Sequence, residues 1–268
     1  MKLLEWAREA RKQISGLDAD LILVHTLGFS SRIELIIHAN DEYDFEQADA
    51  LLEKRATGIP LAYLLGYREF YGRKFSVNQN VLIPRPETEQ IIDSALKIVR
   101  DEKYTRVSVV DVGTGSGCIP ITLKLELSKI GVKSDVLGVD VSEPALDLAR
   151  VNAANHLAEV QFCHSDLLKA VKKLPDIITA NLPYVDVKWD WTSEELKFEP
   201  ALALFAADNG LYLIKKLIDQ IMKKLDNKKR RFLLLEADTS QHDAIIEYAE
   251  KRGMKNISRD GFIIGFSY

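Results

Sequence analysis

The tetrapeptide Asn181-Leu182-Pro183-Tyr184 directly follows the apolar run Asp176-Ile177-Ile178-Thr179-Ala180. A planar amide or aromatic amine is a poor nucleophile because its lone pair is delocalised. A catalyst working on such a nitrogen must hold its N–H groups and aim the nitrogen at the incoming carbon. Asn181 offers a side-chain carbonyl for this purpose. The main-chain carbonyl of Leu182 offers a second acceptor, and Pro183 biases Leu182 toward an extended conformation that helps to aim it. Tyr184 offers an aromatic wall for a flat group. Taken alone, Asn-x-Pro-Tyr also reads as an ordinary turn.

A second segment, Asp111-Val112-Gly113-Thr114-Gly115-Ser116-Gly117-Cys118, changes that balance. It follows a β-rich run and precedes a helical one. Glycines let backbone approach a ligand closely, and the start of the next helix presents free N–H groups. The Gly-Lys-Ser/Thr of a P-loop is absent, and the spacing is G-x-G-x-G rather than the dinucleotide G-x-G-x-x-G. Asp111 stands where pyrophosphate would be repelled but an ammonium or sulfonium tolerated. Asp140, at the end of the next β-rich run, can accept both hydroxyls of a ribose. Its other reading, a helix cap, is weaker because Ser142 can cap instead. Asp166 can accept from an adenine amino group, or cap the segment after it. These features point to S-adenosylmethionine (SAM) rather than NAD, held by Gly113, Thr114, Gly115, Ser116, Gly117, Asp140 and Asp166. The chemistry is then an in-line displacement from sulfonium to nitrogen, helped mainly by orientation. No strong base is required beforehand, since the proton can leave afterward.

These residues need strand ends to stand on. Strands are expected at Val107–Val112, Asp135–Val139, Val160–Cys163, Ile177–Ala180, Phe232–Leu235 and Phe262–Phe266, with helices between most of them, notably Glu143–Asn155 and Leu211–Leu225. Such alternation gives an α/β fold with a mainly parallel sheet covered on both faces, and ligands bind beyond its carboxyl edge. Upstream, Leu3, Leu4, Ala7, Ala10 and Ile14 fall at helical spacing, with Gly16 as the expected stop and Asp18 as the cap of a second helix. A further helix is expected from Phe45 to Ala56. Alternating Phe70, Phe75, Val77, Val81 and Ile83 predict a β-hairpin linker, and a helix should open at Arg85-Pro86. The organisation expected is a helical domain over 1–66, a hairpin over 67–86 and a catalytic domain over 87–268.

Composition excludes several classes. With 36 basic against 40 acidic side chains, the net charge of −4 lacks the field of a general nucleic-acid binder. The run Lys228-Lys229-Arg230-Arg231 reads as a solvated turn. Cys118 and Cys163 lack metal-ligand partners and read as small buried residues. The histidines are scattered and no metal is expected. No segment is long enough to cross a bilayer, so a cytoplasmic location is expected; a monomer is expected as well.

The chain resembles the HemK/PrmC family of protein-(glutamine-N5) methyltransferases, which modify the Gly-Gly-Gln loop of peptide chain release factors. Its marks span almost the whole chain: Pro60-Leu61-Ala62-Tyr63-Leu64-Leu65-Gly66, Glu69-Phe70-Tyr71-Gly72, Leu82-Ile83-Pro84-Arg85-Pro86-Glu87-Thr88-Glu89, the Asp111–Cys118 loop, Val139-Asp140-Val141-Ser142 and Glu199-Pro200-Ala201-Leu202-Ala203-Leu204. The resemblance implies a Rossmann-like SAM-dependent methyltransferase sheet of seven strands, the last antiparallel. It also implies an N-terminal helical domain that recognises the release factor, a SAM site that takes in Asn181 beside Gly113–Gly117 and Asp140, and glutamine recognition by Asn181, Leu182, Pro183 and Tyr184. The family pattern has proline at 182, aspartate at 209 and glycine at 238, where this chain has Leu182, Asn209 and Asp238. Alternative readings are glutamine methylation of a ribosomal protein, adenine-N6 methylation of nucleic acid, and a non-catalytic binding module. The intact glycine loop and Asn181 weigh against the last.

Overall fold

A computed structural model describes residues 1–189, 194–226 and 229–268. The chain forms two compact units. The first runs from Met1 to Tyr67 and takes in a returning segment that ends at Phe198. It holds helices α1 (Leu3–Ala10), α2 (Gly16–Thr26), α3 (Ile33–Ile37), α4 (Glu46–Ala56) and α5 (Leu61–Leu65). Leu3, Trp6, Ala7 and Ala10 form one buried face of α1, packed with Ile22 and Leu23 of α2 and with Ala48 and Leu52 of α4. The Trp6 ring stacks on Phe45 at 5.6 Å, and its indole N–H donates to Asp49 at 2.7 Å.

Two expectations fail at the α1–α2 boundary. Helix α1 ends at Ala10, and Gly16 is the first residue of α2 rather than the stop of α1. Ser15 is the cap, accepting from the Asp18 N–H at 3.1 Å. Asp18 therefore sits inside the first turn, where its carboxylate instead accepts from Arg55 Nε at 2.8 Å. A serine hydroxyl one residue before the helix already satisfies the exposed N–H group, so the aspartate is left for the ion pair.

The second unit begins with a hairpin of β1 (Tyr67–Phe70) and β2 (Arg73–Ser76). Phe70 and Phe75 are buried edge-to-face at 6.1 Å, within the apolar cluster of α6 (Glu89–Asp101). The strands stop before Val77, and the polar stretch Asn78–Asn80 is a turn outside the hairpin, with Asn80 N–H donating to the Asn78 side chain at 2.9 Å. Val77, Val81 and Ile83 are buried without pairing as strands, so their alternation reflects burial alone. The helix expected at Pro86 opens as a single 3-10 turn, Pro86–Thr88, before α6.

The remainder supplies β3 (Arg106–Val112), α7 (Cys118–Lys129), β4 (Lys133–Asp140), α8 (Glu143–Asn155), β5 (Gln161–His164) and β6 (Ile177–Ala180), then α9 (Ala201–Leu204), α10 (Tyr212–Lys224), β7 (Phe232–Glu236), α11 (His242–Glu250), β8 (Lys255–Asp260) and β9 (Ile263–Ser267). The sheet has seven strands in the order β5-β4-β3-β6-β7-β9-β8. Strands β3 to β7 pair in parallel, and β9 enters antiparallel between β7 and β8. Strand β8 was not expected. Its sequence, Lys-Asn-Ile-Ser-Arg-Asp, is mostly exposed at the sheet edge, where charged residues are tolerated and no apolar alternation is needed.

Both faces are covered. Val110, Val112, Ile178, Ala180, Leu233 and Leu235 join a cluster with α10 and α11. Val107, Val109, Ile177, Phe232 and Leu234 join the other, with α6 and α7. Continuing that second alternation to the carboxyl edge places Asp111, Thr179 and Glu236 on the α6/α7 face, because side chains two apart share a face. The chain leaves β3 for β4 and β5 on one side and later crosses to β6 on the other. The crevice where the order reverses therefore lies between β3 and β6, the expected ligand position in such sheets.

Replacing Trp6 removes a buried ring and the partner of Asp49. Trp6→Ala should cost about 3–5 kcal/mol, read as a lower urea midpoint for the helical unit.

Candidate functional site

The crevice opens into a cavity of about 350 Å³, within the range of small-ligand sites. Its walls include Gly113, Thr114, Gly115, Ser116, Asp140, Ser165, Asp166, Asn181, Leu182 and Pro183. Of the residues singled out above, Asp111, Gly117 and Tyr184 lie outside this lining. Gly117 precedes α7 as its N-cap, and Tyr184 packs behind the loop.

The glycine loop is held by strand contacts. Gly113 and Thr114 N–H both donate to the Val139 carbonyl, at 2.8 and 3.0 Å. Gly113 has φ +73°, and a Cβ there would meet Leu182 Cδ2 at 3.0 Å. The loop after β3 and the loop after β6 thus touch, and any larger residue would separate them. Gly115 faces open space, with no atom within 4 Å of where its Cβ would stand. Asn152 of α8 is buried and fastens the loop from behind, donating to the Ser116 carbonyl at 2.8 Å and to the Ser76 carbonyl at 3.0 Å.

Asp140 accepts the Gly115 N–H and the Ser142 N–H, both at 2.9 Å. Ser142 caps α8, accepting from Ala145 N–H at 3.3 Å. The carboxylate of Asp140 therefore braces the loop and keeps lone pairs for a ligand. Asp166 accepts from Lys216 Nζ at 2.8 Å on both oxygens and pairs with Lys169 at 2.7 Å. Hydrogen bonds from Lys169 and Lys216 hold its carboxyl below the ordinary range. Among the described residues the Asp166 side chain accepts no backbone N–H; the Ser165 hydroxyl accepts the Ala170 N–H at 3.0 Å instead.

Asp111 departs from expectation. It is fully buried behind the loop, is not among the cavity walls, and accepts from the Thr179 hydroxyl at 2.7 Å. Burial, with a smaller contribution from the Asp140 charge, pushes its carboxyl up to about 7. The strand alternation turns it toward α6 and α7, so it cannot face a cationic ligand directly. Cys118 is also buried, and burial raises its thiol to about 12, leaving it inert. Cys163 is only partly buried.

Behind Asn181 lies a polar group that the sequence reading passed over. Asn181 Nδ2 donates to the Thr88 hydroxyl at 3.1 Å, and the Tyr184 hydroxyl donates to Glu236 Oε1 at 3.3 Å. Glu236 is 1% exposed. Burial raises its carboxyl, while the Thr88, Tyr184 and Asn181 side chains beside it oppose that rise, and its Oε2 has no hydrogen-bond partner among the described residues. Burial and the Glu236 carboxylate together raise the Tyr184 phenol. The clue was present in Phe-Leu-Leu-Leu-Glu, an acid closing a wholly buried strand.

The loop after β6 has a second brace. Gln241 Nε2 donates to the Tyr184 and Asn209 carbonyls, both at 2.8 Å. Two departures from the family pattern find their use here. Asp238 caps the turn that carries Gln241, accepting from Ser240 N–H at 2.9 Å. Asn209 occupies φ +53°, a conformation asparagine tolerates. Leu182 is buried in the core beside Gly113, and no backbone acceptor takes its N–H among the described residues.

Other cavity walls not foreseen are Arg85, Thr88 and Lys216. Arg85 pairs with the buried Glu199, which also accepts the Ile83 N–H at 3.0 Å. The basic run carries no free patch among its described members. Lys229 pairs with Asp176, Arg230 with Glu102 at 2.8 Å and Arg231 with Asp226 at 2.8 Å. Lys228 lies outside the described residues. Among the described residues no metal-holding cluster occurs and no helix is long and apolar enough to cross a membrane.

Gly210, at φ +81°, lies against the Tyr184 carbonyl, where a Cβ would collide with backbone oxygen. Gly210→Ala should therefore displace the Asn181–Tyr184 loop and lower turnover by ~10²-fold, the scale of a misplaced reacting group. Circular dichroism should stay native while single-turnover rates fall. Asp111 gives a pH prediction. Its folded pKa lies above the unfolded one, so the folded state binds the extra proton. That contribution to stability is complete below about pH 4 and is lost as pH rises through about 7. Asp111→Asn should gain stability over the native chain progressively across that window and level off above it, measured by urea unfolding at several pH values.

Residues 2–66 match the PrmC N-terminal domain and residues 90–197 the methyltransferase small domain. A release factor glutamine methyltransferase of Koribacter versatilis (strain Ellin345) is 39% identical, covering 86% of this chain and 82% of its own. That of Neisseria gonorrhoeae (strain ATCC 700825 / FA 1090) is 36% identical, covering 91% and 88%. In fold, the chain is similar to a 16S rRNA methyltransferase of T. thermophilus solved with AdoMet and guanosine. The TM-score is 0.51 and the identity 13%, over 75% of this chain and 48% of that one. With relatives of this identity aligned along most of both chains, this chain belongs to the family of release factor glutamine methyltransferases.

Proposed function

We propose that this chain moves a methyl group from SAM to the N5 side-chain nitrogen of the glutamine in the Gly-Gly-Gln loop of peptide chain release factors. The observation that supports it most is the single cavity that brings the glycine loop, Asp140 and Asn181-Leu182-Pro183 together across the β3–β6 crevice. The residues present suit SAM: the open backbone at Gly115, a braced acid at Asp140 and a second acid at Asp166.

In this reading, Gly113–Gly117 and Asp140 hold the nucleoside and amino-acid ends of the donor, and Asp166 faces the adenine. SAM supplies an electrophilic methyl group on a sulfonium centre. The Asn181 side-chain carbonyl and the Leu182 main-chain carbonyl accept the two N–H groups of the glutamine amide, pointing its nitrogen along the line of transfer. Pro183 and Tyr184 shape the wall beside it. The amide nitrogen sheds its proton after transfer. The N-terminal helical unit docks the protein substrate, and the enzyme works in the cytoplasm. The pairing of the described basic run weighs against adenine methylation in nucleic acid.

Methylation of purified release factor, read by mass spectrometry of the Gly-Gly-Gln peptide, tests the proposal. Methyl groups on a ribosomal protein or on adenine, with none on that glutamine, would refute it. Asn181→Ala should lower single-turnover rates by ~10²-fold or more without loss of SAM binding. Leu182→Pro keeps the carbonyl and deletes no backbone hydrogen bond that the structure contains. Its rate should hold within a few-fold, while stability falls because the buried leucyl side chain is lost. A near-native rate for Asn181→Ala would remove the carbonyl pair from the mechanism.

A further inference from the structure

Asn181 has two chemically opposite edges, an acceptor oxygen and a donor NH₂ group, on a side chain that can rotate by half a turn. Only one orientation serves an acceptor role toward an incoming amide. The structure uses the NH₂ edge inside the protein, where Nδ2 donates to the Thr88 hydroxyl at 3.1 Å. Among the described residues no hydrogen bond occupies Oδ1. Thr88 alone does not explain the choice, because a hydroxyl can donate as readily as it accepts. The group that removes the ambiguity is Glu236, which lies on the same sheet face at the end of β7. The Tyr184 hydroxyl donates to its Oε1 at 3.3 Å, its Oε2 is buried with no hydrogen-bond partner among the described residues, and Thr88 and Asn181 lie close enough to lower its carboxyl. It has no ion-pair partner among the described residues. A carboxylate accepts only, so every neighbour must turn a donor toward it.

We infer that Glu236 is a positioning residue that fixes the amide orientation of Asn181, so that Oδ1 rather than Nδ2 meets the substrate amide. Buried at 1% exposure, with no ion pair among the described residues and one oxygen still without a donor, it sets a one-way pattern. The Glu236 carboxylate takes the Tyr184 O–H, its unpartnered Oε2 favours a donor edge from the neighbouring Thr88 and Asn181, and Asn181 is left with its oxygen toward the cavity. The substrate, which brings two N–H donors, then meets acceptors alone. An Asn181 turned the other way would oppose donor to donor. This inference rests on the glutamine reading above for the identity of the substrate, but the orientation itself is a property of the free protein.

Glu236→Gln is the discriminating change, since it keeps the shape but adds a donor edge and so lets Asn181 turn. In the full-length chain, this variant should keep SAM affinity and a native circular dichroism spectrum while kcat on release factor falls by roughly 10- to 100-fold. The native enzyme should lose kcat as pH falls and Glu236 gains a proton, at a higher pH than an ordinary carboxylate because burial raises that group. Glu236→Gln should lack this limb. The other titratable groups nearby are Glu87, Tyr184, Cys118 and Asp111, with Arg85 and Asp238 acting on Tyr184. All are present in both proteins, so only the limb lost on substitution counts. A second readout needs no turnover. The Asn181 carboxamide protons, assigned by ¹⁵N NMR against Asn181→Ala, should exchange slowly in the native chain and faster in Glu236→Gln. Thr88→Val, which removes the acceptor of Nδ2, should also speed exchange and lower kcat, and serves if Glu236→Gln does not fold. An unchanged kcat and unchanged exchange in whichever variant folds would overturn the inference. Inactivity of the native chain on release factor would count against the glutamine reading alone, because the exchange measurement would still decide the orientation.

Discussion

The pairing of β3 with β6 is the constraint from which the site follows. Val112 lies opposite Ala180 in a parallel register, so two loops distant in sequence leave the sheet side by side in the same direction. One begins with Gly113 and the other with Asn181. Gly113 has no side chain, and Leu182 fills the space where one would have been. Had either strand paired one residue out of step, the alternation would have turned Asp111 and Thr179 into the other apolar cluster. The cavity, the acid at Asp140 and the carbonyls of the second loop are consequences of that register.

Around this crevice the protein spends its buried polar groups on holding backbone and amides in place. Asn152 joins hairpin and glycine loop; Asp140 joins the ends of β4 and the loop; Gln241 joins the Tyr184 and Asn209 carbonyls. Each of these is a short polar side chain with several partners, and each connects segments far apart in the chain. Methyl transfer to an amide depends on orientation more than on acid–base strength. A site built for it is expected to be rich in such braces and poor in free bases. The described groups agree: Asp111 and Glu236 are buried and raised, Cys118 is inert, and Asp166 is paired with lysines.

The places where this chain departs from the family pattern are accommodated by the same braces. Asn209 suits a left-handed backbone next to Gly210. Asp238 has an ordinary extended backbone, so no glycine is required there, and its carboxylate caps the turn that presents Gln241. Leu182 replaces a rigid residue with an apolar one that anchors the loop through packing. The motif is thus kept in position by burial where the family pattern uses ring stiffness.

Much of this was legible in the amino-acid sequence. The order of β-rich and amphipathic runs determined an α/β fold. The G-x-G-x-G spacing marked a backbone loop, and Asn181-Leu182-Pro183 marked a second loop, that line the same cavity. These are local properties: residue type, periodicity and the absence of side chains at glycine. Strand β8 escaped because an exposed edge needs no apolar pattern, and the hairpin was drawn too long because buried residues alternate in irregular segments too. The direction of Asp111 and the convergence of Thr88, Tyr184, Asn181 and Glu236 were decided only by tertiary structure. Inside wholly apolar strands such as Phe232–Leu235, the sequence does not show which face each residue takes. That choice is made by pairing and by which helices cover each face, and it settles whether an acid meets the cavity, solvent or the buried polar groups behind Asn181.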